Sequence, residues 1–370
     1  MRAVTRPLGL VCLLLASSPT LAEYQLNLEP GVTITSQNAY DIHQIVMWIC
    51  VVIGIVVYGV MTYSILTHTK ARGHKPATFD DNLTVEILWT VIPVLILIGM
   101  AIPATSALLA MEDVSDSDMS IKVTGYQWKW HYDYVGEDVS FFSNMNTPME
   151  QIKNLEAKGE NYLLEVDNKI VVPVDQKIRF LFTSNDVIHA WWVPAFGVKK
   201  DAIPGYINES WARIDEPGIY RGQCAELCGA NHGFMPIVVE AKSEEDYLAW
   251  LGEKKTAQAA AAESGNKVWT MDELMAHGET AYNTSCAACH QVGGEGLPNV
   301  FPGIKGSAIA TGDVAKHIDV VVNGVAGTGM QAFGAQLNDA DLAAIITYER
   351  NAWGNNAGDM VQPSEIKAAR

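Results

Sequence analysis

Apolar and polar residues change their spacing three times along the chain, and each change marks a different kind of structure. Residues 45–66 and 87–110 are two uncharged, almost wholly apolar stretches, each long enough as a helix to cross a bilayer. Pro93 and Pro103 interrupt the second, which neighbouring membrane helices tolerate. Lys70, Arg72 and Lys75 lie between the two stretches and put the connecting loop on the cytoplasmic side, so everything after Met111 lies outside. From Ile121 the period becomes two. In Gly125–Tyr134 one strand face would carry Tyr126, Trp128, Trp130, Tyr132 and Tyr134, the other Gln127, Lys129, His131 and Asp133. Residues 135–160 are polar and read as an insertion. Short β-rich runs follow at Tyr162–Val166, Ile170–Val174, Ile178–Thr183 and Ala190–Val193, and strands at Gly218–Gln223 and Pro236–Glu240 flank a polar loop. This pattern predicts a β-sandwich. A short amphipathic helix over 241–251 gives way to an Ala-rich tether, and from Val268 the spacing turns helical, with helices expected at Gly278–Ser285 and Asp339–Arg350.

The expected organisation is therefore multi-domain: residues 1–22 a secretory signal, 23–110 an N-terminal segment and two-helix transmembrane hairpin, 111–252 an all-β domain, 253–267 a linker, 268–357 an all-α domain and 358–370 a tail. The signal reading rests on Arg2 and Arg6, the apolar run Leu8–Ala16 and the cleavage-type Thr20-Leu21-Ala22.

Formal charge is −17. That balance excludes a nucleic-acid partner, whose phosphates need Lys and Arg, and favours a basic protein drawn in by long-range charge. Cys12 and Cys50 fall in the signal and the first span, and the other four cysteines fall into two metal-type motifs.

The first motif is the loop Cys224–Met235, which gathers Cys224, Cys228, His232 and Met235. Thiolate, thioether and imidazole suit copper, and two cysteines four positions apart can aim both sulfurs at one place and bridge two copper ions. Such a site needs a second imidazole, for which His189 is the candidate. A disulfide or a zinc site remains open on spacing alone, although neither calls for Met235. The second motif, Cys286-Ala287-Ala288-Cys289-His290, is the attachment pattern of a c-type haem, with His290 as proximal ligand. Met330, in Gly327–Gly334, is the expected sixth ligand and Met360 its rival. His277 and His317 read as packing or surface residues.

The copper-type loop, the aromatic stretch around Trp128, the block from His189 to Asp201-Ala202-Ile203-Pro204-Gly205, and Thr84-Val85-Glu86-Ile87-Leu88-Trp89-Thr90 together resemble subunit II of haem–copper cytochrome c oxidase, of the type with a cytochrome c domain fused at its C-terminus. The resemblance implies a cupredoxin-like sandwich holding a dinuclear copper centre. Its ligands would be His189, Cys224, Cys228, His232, Met235 and the Glu226 carbonyl, with Trp128 passing electrons to it. It implies a magnesium ion shared between the Glu226 carboxylate and subunit I, with Asp201 nearby, and Glu86 at the mouth of a proton path into subunit I. Oxidase subunits I and III and a c-type cytochrome donor would be the partners, and the periplasmic side of a bacterial inner membrane the location. A soluble nitrous oxide reductase would need a further His-rich domain, and a quinol oxidase subunit would lack the copper ligands. A membrane-anchored electron carrier without a catalytic partner is the alternative of a different class.

Overall fold

The computed structural model describes residues 27–75 and 78–370, so the expected secretory signal lies outside the described residues. Helix α1, Ile34–Thr67, and helix α2, Leu83–Glu112, carry the two apolar stretches. Both outrun the expected spans. The first turns of α1 are polar and are held by a capping box in which the Thr33 and Ser36 side chains each accept the other's backbone N–H. The most apolar windows of the two helices have mean hydropathy 2.5 and 2.4, and their side chains are exposed all round. Burying them takes a bilayer, and the chain is a two-span membrane protein. The hairpin with Pro194–Gly197 forms one compact unit, and Glu112–Val193 with Val198–Arg370 forms the other.

The second unit begins with a β-sandwich. Its strands are β1 Met119–Tyr126, β2 Lys129–Tyr134, β3 Val139–Ser143, β4 Ile170–Pro173, β5 Lys177–Ser184, β6 His189–Val193, β7 Val198–Ala202, β8 Asn208–Arg213, β9 Gly218–Cys224 and β10 Pro236–Lys242. One sheet has the order β3-β2-β1-β5-β8 and the other β4-β10-β9-β6-β7. Strand β5 alternates so that Ile178, Phe180 and Phe182 point inward, where the two phenylalanines pack on Trp191, and Trp130, Tyr132, Ile237 and Val239 are buried as well.

The aromatic stretch corrects the sequence reading. It is not one strand but a hairpin: Tyr126 pairs with Lys129, leaving Gln127 and Trp128 as the two turn residues. Only Trp130, Tyr132 and Tyr134 stay on the inner face, and Lys129 is buried as well. The turn has none of the usual Gly or Asn signal. A distant group holds it instead, since the Gln127 N–H donates to Asp186 Oδ2 at 2.8 Å. The expected strand at Tyr162–Val166 reduces to a single bridge, Met145 to Val166, because the chain turns at Leu163 with φ 62°. The supposed insertion holds β3 and a short helix α3, Met149–Ile152.

Helix α4, Glu244–Ser264, replaces the expected short helix and tether. Ser243 caps it, and its C-terminal half is rich in alanine, the strongest helix former. Lys254 and Lys255 tie it to the sandwich through Asn168 and Glu137.

The all-α region follows: α5 Met271–Ser285, α6 Ala287–His290, α7 Val314–Asn323, α8 Asp339–Asn351 and α9 Pro363–Ala369. Helices α5 and α8 cross where Gly278 lies on the Ala344 carbonyl; a Cβ there would come within 2.2 Å of that oxygen. Leu274, Val321, Leu342 and Ile346 form the core. The expected tail belongs to this core too: Val361 and Ile366 are fully buried, and α9 closes the domain.

Candidate redox metal sites

The first site sits where β6, the β9–β10 loop and the β1–β2 turn meet. Strand β6 opens with His189, β9 ends with Cys224 and β10 starts just after Met235, so the sandwich fixes both ends of the loop. Cys224 Sγ lies 3.8 Å from Cys228 Sγ, 3.9 Å from His189 Nδ1 and 3.3 Å from the Glu226 carbonyl oxygen. Cys228 Sγ lies 3.5 Å from His232 Nδ1 and 3.5 Å from Met235 Sδ. Six donors from six residues thus share one small volume, and His189, Cys224, Cys228 and Met235 are buried. The set fits a soft metal: two sulfurs close enough to bridge, two imidazole nitrogens, a thioether and a carbonyl. It leaves neither thiol in a disulfide, since both are free.

The neighbours orient these donors. His189 Nε2 donates to Asp186 Oδ1 at 2.9 Å, which leaves Nδ1 for the metal. Gly125 makes room for that ring: a Cβ there would lie 2.7 Å from His189 Cδ2. Trp128 Nε1 and Gln127 Nε2 both donate to the Cys228 carbonyl, at 3.1 and 2.8 Å, and Trp130 Nε1 donates to the Met235 carbonyl at 3.2 Å. Burial works against the charged form of Asp186, but bonds from His189 and from the Gln127 and Val187 N–H groups outweigh it and hold its pKa low. Burial likewise opposes protonation of His189, and Asp186 and Cys224 outweigh it and raise its pKa. The hydrogen bond from Cys228 holds the Cys224 thiol far down, while the same contact and burial push Cys228 up. Without a cation between them the pair keeps one proton, because two thiolates so close repel.

Glu226 and Asp201 turn exposed side chains outward, and Leu227 beside them is 78% exposed. Glu86 lies in the first turn of α2, half-buried, with its N–H on the Asn82 carbonyl.

The second site lies in the helical domain. Cys286 ends α5, and Cys289 and His290 complete α6, so both thiols and the imidazole occupy about one helical turn. His290 Nδ1 donates to the Pro302 carbonyl at 2.8 Å, leaving Nε2 for iron. This fits a haem held through two thioethers and a proximal imidazole. Met330 is half-buried against the domain core beside Phe333 and Leu337. Met360 is 45% exposed and its sulfur faces the Gln362 amide at 3.6 Å. His277 and His317 are bonded to Asp341 and Glu349 at 2.6 and 2.8 Å.

Sequence reasoning missed Asp186, Gln127 and Pro302. Asp186 carried a usable signal, a carboxylate three residues before a ligand imidazole, since such ligands usually donate their other N–H to an acceptor. Gln127 and Pro302 carried none, because their partners are set by folding.

Three protein-family models match the chain: cytochrome c oxidase subunit II, transmembrane domain, over residues 21–106; cytochrome c oxidase subunit II, periplasmic domain, over 119–242; and cytochrome c oxidase, cbb3-type, subunit III, over 273–348. A probable cytochrome c oxidase subunit 2 of Rickettsia felis is 39% identical over 255 residues, covering 68% of this chain and 80% of that protein. Cytochrome c oxidase subunit 2 of Cereibacter sphaeroides is 41% identical over 193 residues, covering 49% of this chain and 64% of that protein. The crystal structure of the periplasmic domain of subunit II of the Bradyrhizobium japonicum cytochrome oxidase shares 42% identity and covers 39% of this chain and 98% of that one, with TM-score 0.35. The sandwich is cupredoxin-like, the helical region is a cytochrome c domain, and the matched families support copper and haem as cofactors. From its membrane hairpin through its copper-type loop to its fused haem domain, the chain belongs to the cytochrome c oxidase subunit II family, and so to an oxidoreductase.

Proposed function

We propose that this chain receives electrons for a bacterial haem–copper cytochrome c oxidase. Cys286, Cys289, His290 and Met330 would hold haem c, which would accept electrons from a c-type cytochrome, and His189, Cys224, Cys228, His232, Met235 and the Glu226 carbonyl would hold a dinuclear copper centre next in the relay. Both groups supply the same chemistry, one-electron oxidation and reduction. The protein's part is to hold the ligands still: Asp186 sets the His189 tautomer, and Trp128 and Gln127 anchor the Cys228 carbonyl from the side that faces the haem domain.

Electrons go on to subunit I, where oxygen is reduced to water with proton pumping. The hairpin docks against subunits I and III, Glu86 marks the mouth of a proton path, and the Glu226 carboxylate, with Asp201 nearby, binds magnesium shared with subunit I. The location is the bacterial inner membrane, with residues 111–252 and 268–357, the copper and haem domains, in the periplasm.

One observation carries the copper reading: six donor atoms of the right softness converge around sulfurs 3.8 Å apart. The test is metal content and electron spin resonance of the purified oxidase. Two coppers in this chain with one unpaired electron shared over both are expected, and Cys224→Ser should abolish the shared signal by removing a bridge. A single copper, or zinc alone, overturns the reading. Co-purification with a large multi-span haem protein is expected, and its failure would favour a membrane-anchored carrier.

A further inference from the structure

The relay proposed above leaves open whether the haem domain swings on its connection or rests in one place. A tethered cytochrome that swings needs a flexible connector and no specific seat. This chain has neither property. The connector is helix α4, tied to the sandwich by Lys254 and Lys255, with Gln258 donating to the Ser140 carbonyl. And the haem domain has a seat. The Gln331 side-chain amide donates to the Gln127 backbone carbonyl. Phe333 lies over Lys129, whose Nζ is 5.0 Å from that ring and 4.8 Å from the Phe142 ring.

The first of these contacts falls on a residue that carries the copper loop. Gln127 makes three hydrogen bonds around the link. Its amide donates to the Cys228 carbonyl, its N–H to Asp186, and its carbonyl accepts from Gln331, the residue after the haem ligand Met330. Two hydrogen bonds and one residue therefore separate the haem-ligand loop from the loop that carries Cys228. Lys129 is only 8% exposed and has no carboxylate partner among the described residues, so the two aromatic rings are what holds its charged end. Burial pushes its pKa down to about 8. A cavity of about 490 Å³, lined by Lys129, His131 and Phe142 on one side and by Gly334, Gln336 and Leu337 on the other, continues the seam. So narrow and polar a joint is weak alone, and α4 supplies the effective concentration that keeps it closed.

We propose that Gln331 and Phe333, seated on Gln127 and Lys129, are positioning residues that lock the haem domain in one pose against the copper loop, so that electrons cross through the Gln331–Gln127–Cys228 hydrogen bonds without domain movement. The inference rests on the haem-to-copper relay. In that step haem iron goes from the ferrous to the ferric state and the copper pair gains the electron; no bond forms or breaks and no proton moves.

The experiment is flash reduction of haem c in the assembled oxidase, with haem oxidation and copper reduction followed separately. In the unmodified chain the transfer rate should not change with added glycerol. Gln331→Ala and Phe333→Ala should each slow it at least tenfold and make it fall with viscosity, while the haem potential and the copper spin signal stay unchanged. Gln331→Asn should recover part of the rate. Unchanged rates in both alanine variants overturn the seat, and so does a viscosity-dependent rate in the unmodified chain, which needs no variant to fold. Absence of any haem-to-copper transfer in the unmodified chain overturns the relay itself, and the pose with it.

Discussion

Asp186 supports the copper-type site with both of its carboxylate oxygens. One of its carboxylate oxygens fixes the His189 ring, and the other holds the hairpin turn that brings Trp128 and Gln127 to the Cys228 carbonyl. At the haem, Met330→Ala should leave the covalent attachment through Cys286 and Cys289 intact and lower the potential, because a thioether ligand favours the reduced iron. Redox titration against the parent checks it, and an unchanged potential and spectrum would move the sixth-ligand role to another residue. His131 supplies a pH test. Burial pushes its pKa down to about 4, outweighing Asp133. Between pH 4 and 6.5 the unfolded chain then binds more protons at this position than the folded one, so this contribution to stability is full above pH 6.5 and is lost as pH falls through 4. At about 1.4 kcal/mol per pKa unit, His131→Gln should flatten the acid side of the denaturation midpoint profile by a few kcal/mol. An unchanged slope between pH 6.5 and 4 counts against it.

At the scale of elements, α2 and α4 teach different lessons. Helix α2 places Glu86 in its first turn, at the start of the apolar span, and a carboxylate in such a span is a functional candidate. Glu86→Gln keeps the shape and removes the proton-carrying group. Steady-state oxygen consumption should fall severalfold while reduction of haem c and copper stays fast, and unchanged turnover would return Glu86 to a surface role. Helix α4 shows a composition misread. Alanine with polar residues has no apolar periodicity and so suggested a tether, but alanine is also the best helix former, and a capped start with anchoring lysines makes the helix persist.

For the molecule as a whole, on the proposed relay, the charge of −17 and the fused haem domain would act together on the donor. A basic cytochrome should bind more weakly as salt rises, since the Debye length is only about 10 Å at 0.1 M. Deleting the residues after about Ala257 should remove the built-in donor, so that turnover then requires a high concentration of added cytochrome c. Steady-state kinetics over a salt series, with full-length and shortened chains side by side, measure both effects. Equal KM values for the two forms would mean that electrons do not pass through the fused domain.

The sequence by itself determined what local chemistry can encode. The two spans follow from uncharged length, the haem attachment motif from contiguous Cys286–His290, and four side-chain donors of the copper-type site from a single loop, because those groups are neighbours along the chain. The hairpin at Gln127–Trp128, the strand that Tyr162–Val166 did not form, and the closing helix α9 were decided by tertiary structure. A two-residue turn without glycine exists here because Asp186 bonds it from 59 positions away, and α9 is held by burial of Val361 and Ile366 rather than by its own sequence. The meeting of Gln331 with Gln127 spans 204 positions. No periodicity reports such a pair, since it exists only once two separately folded cores have been brought together.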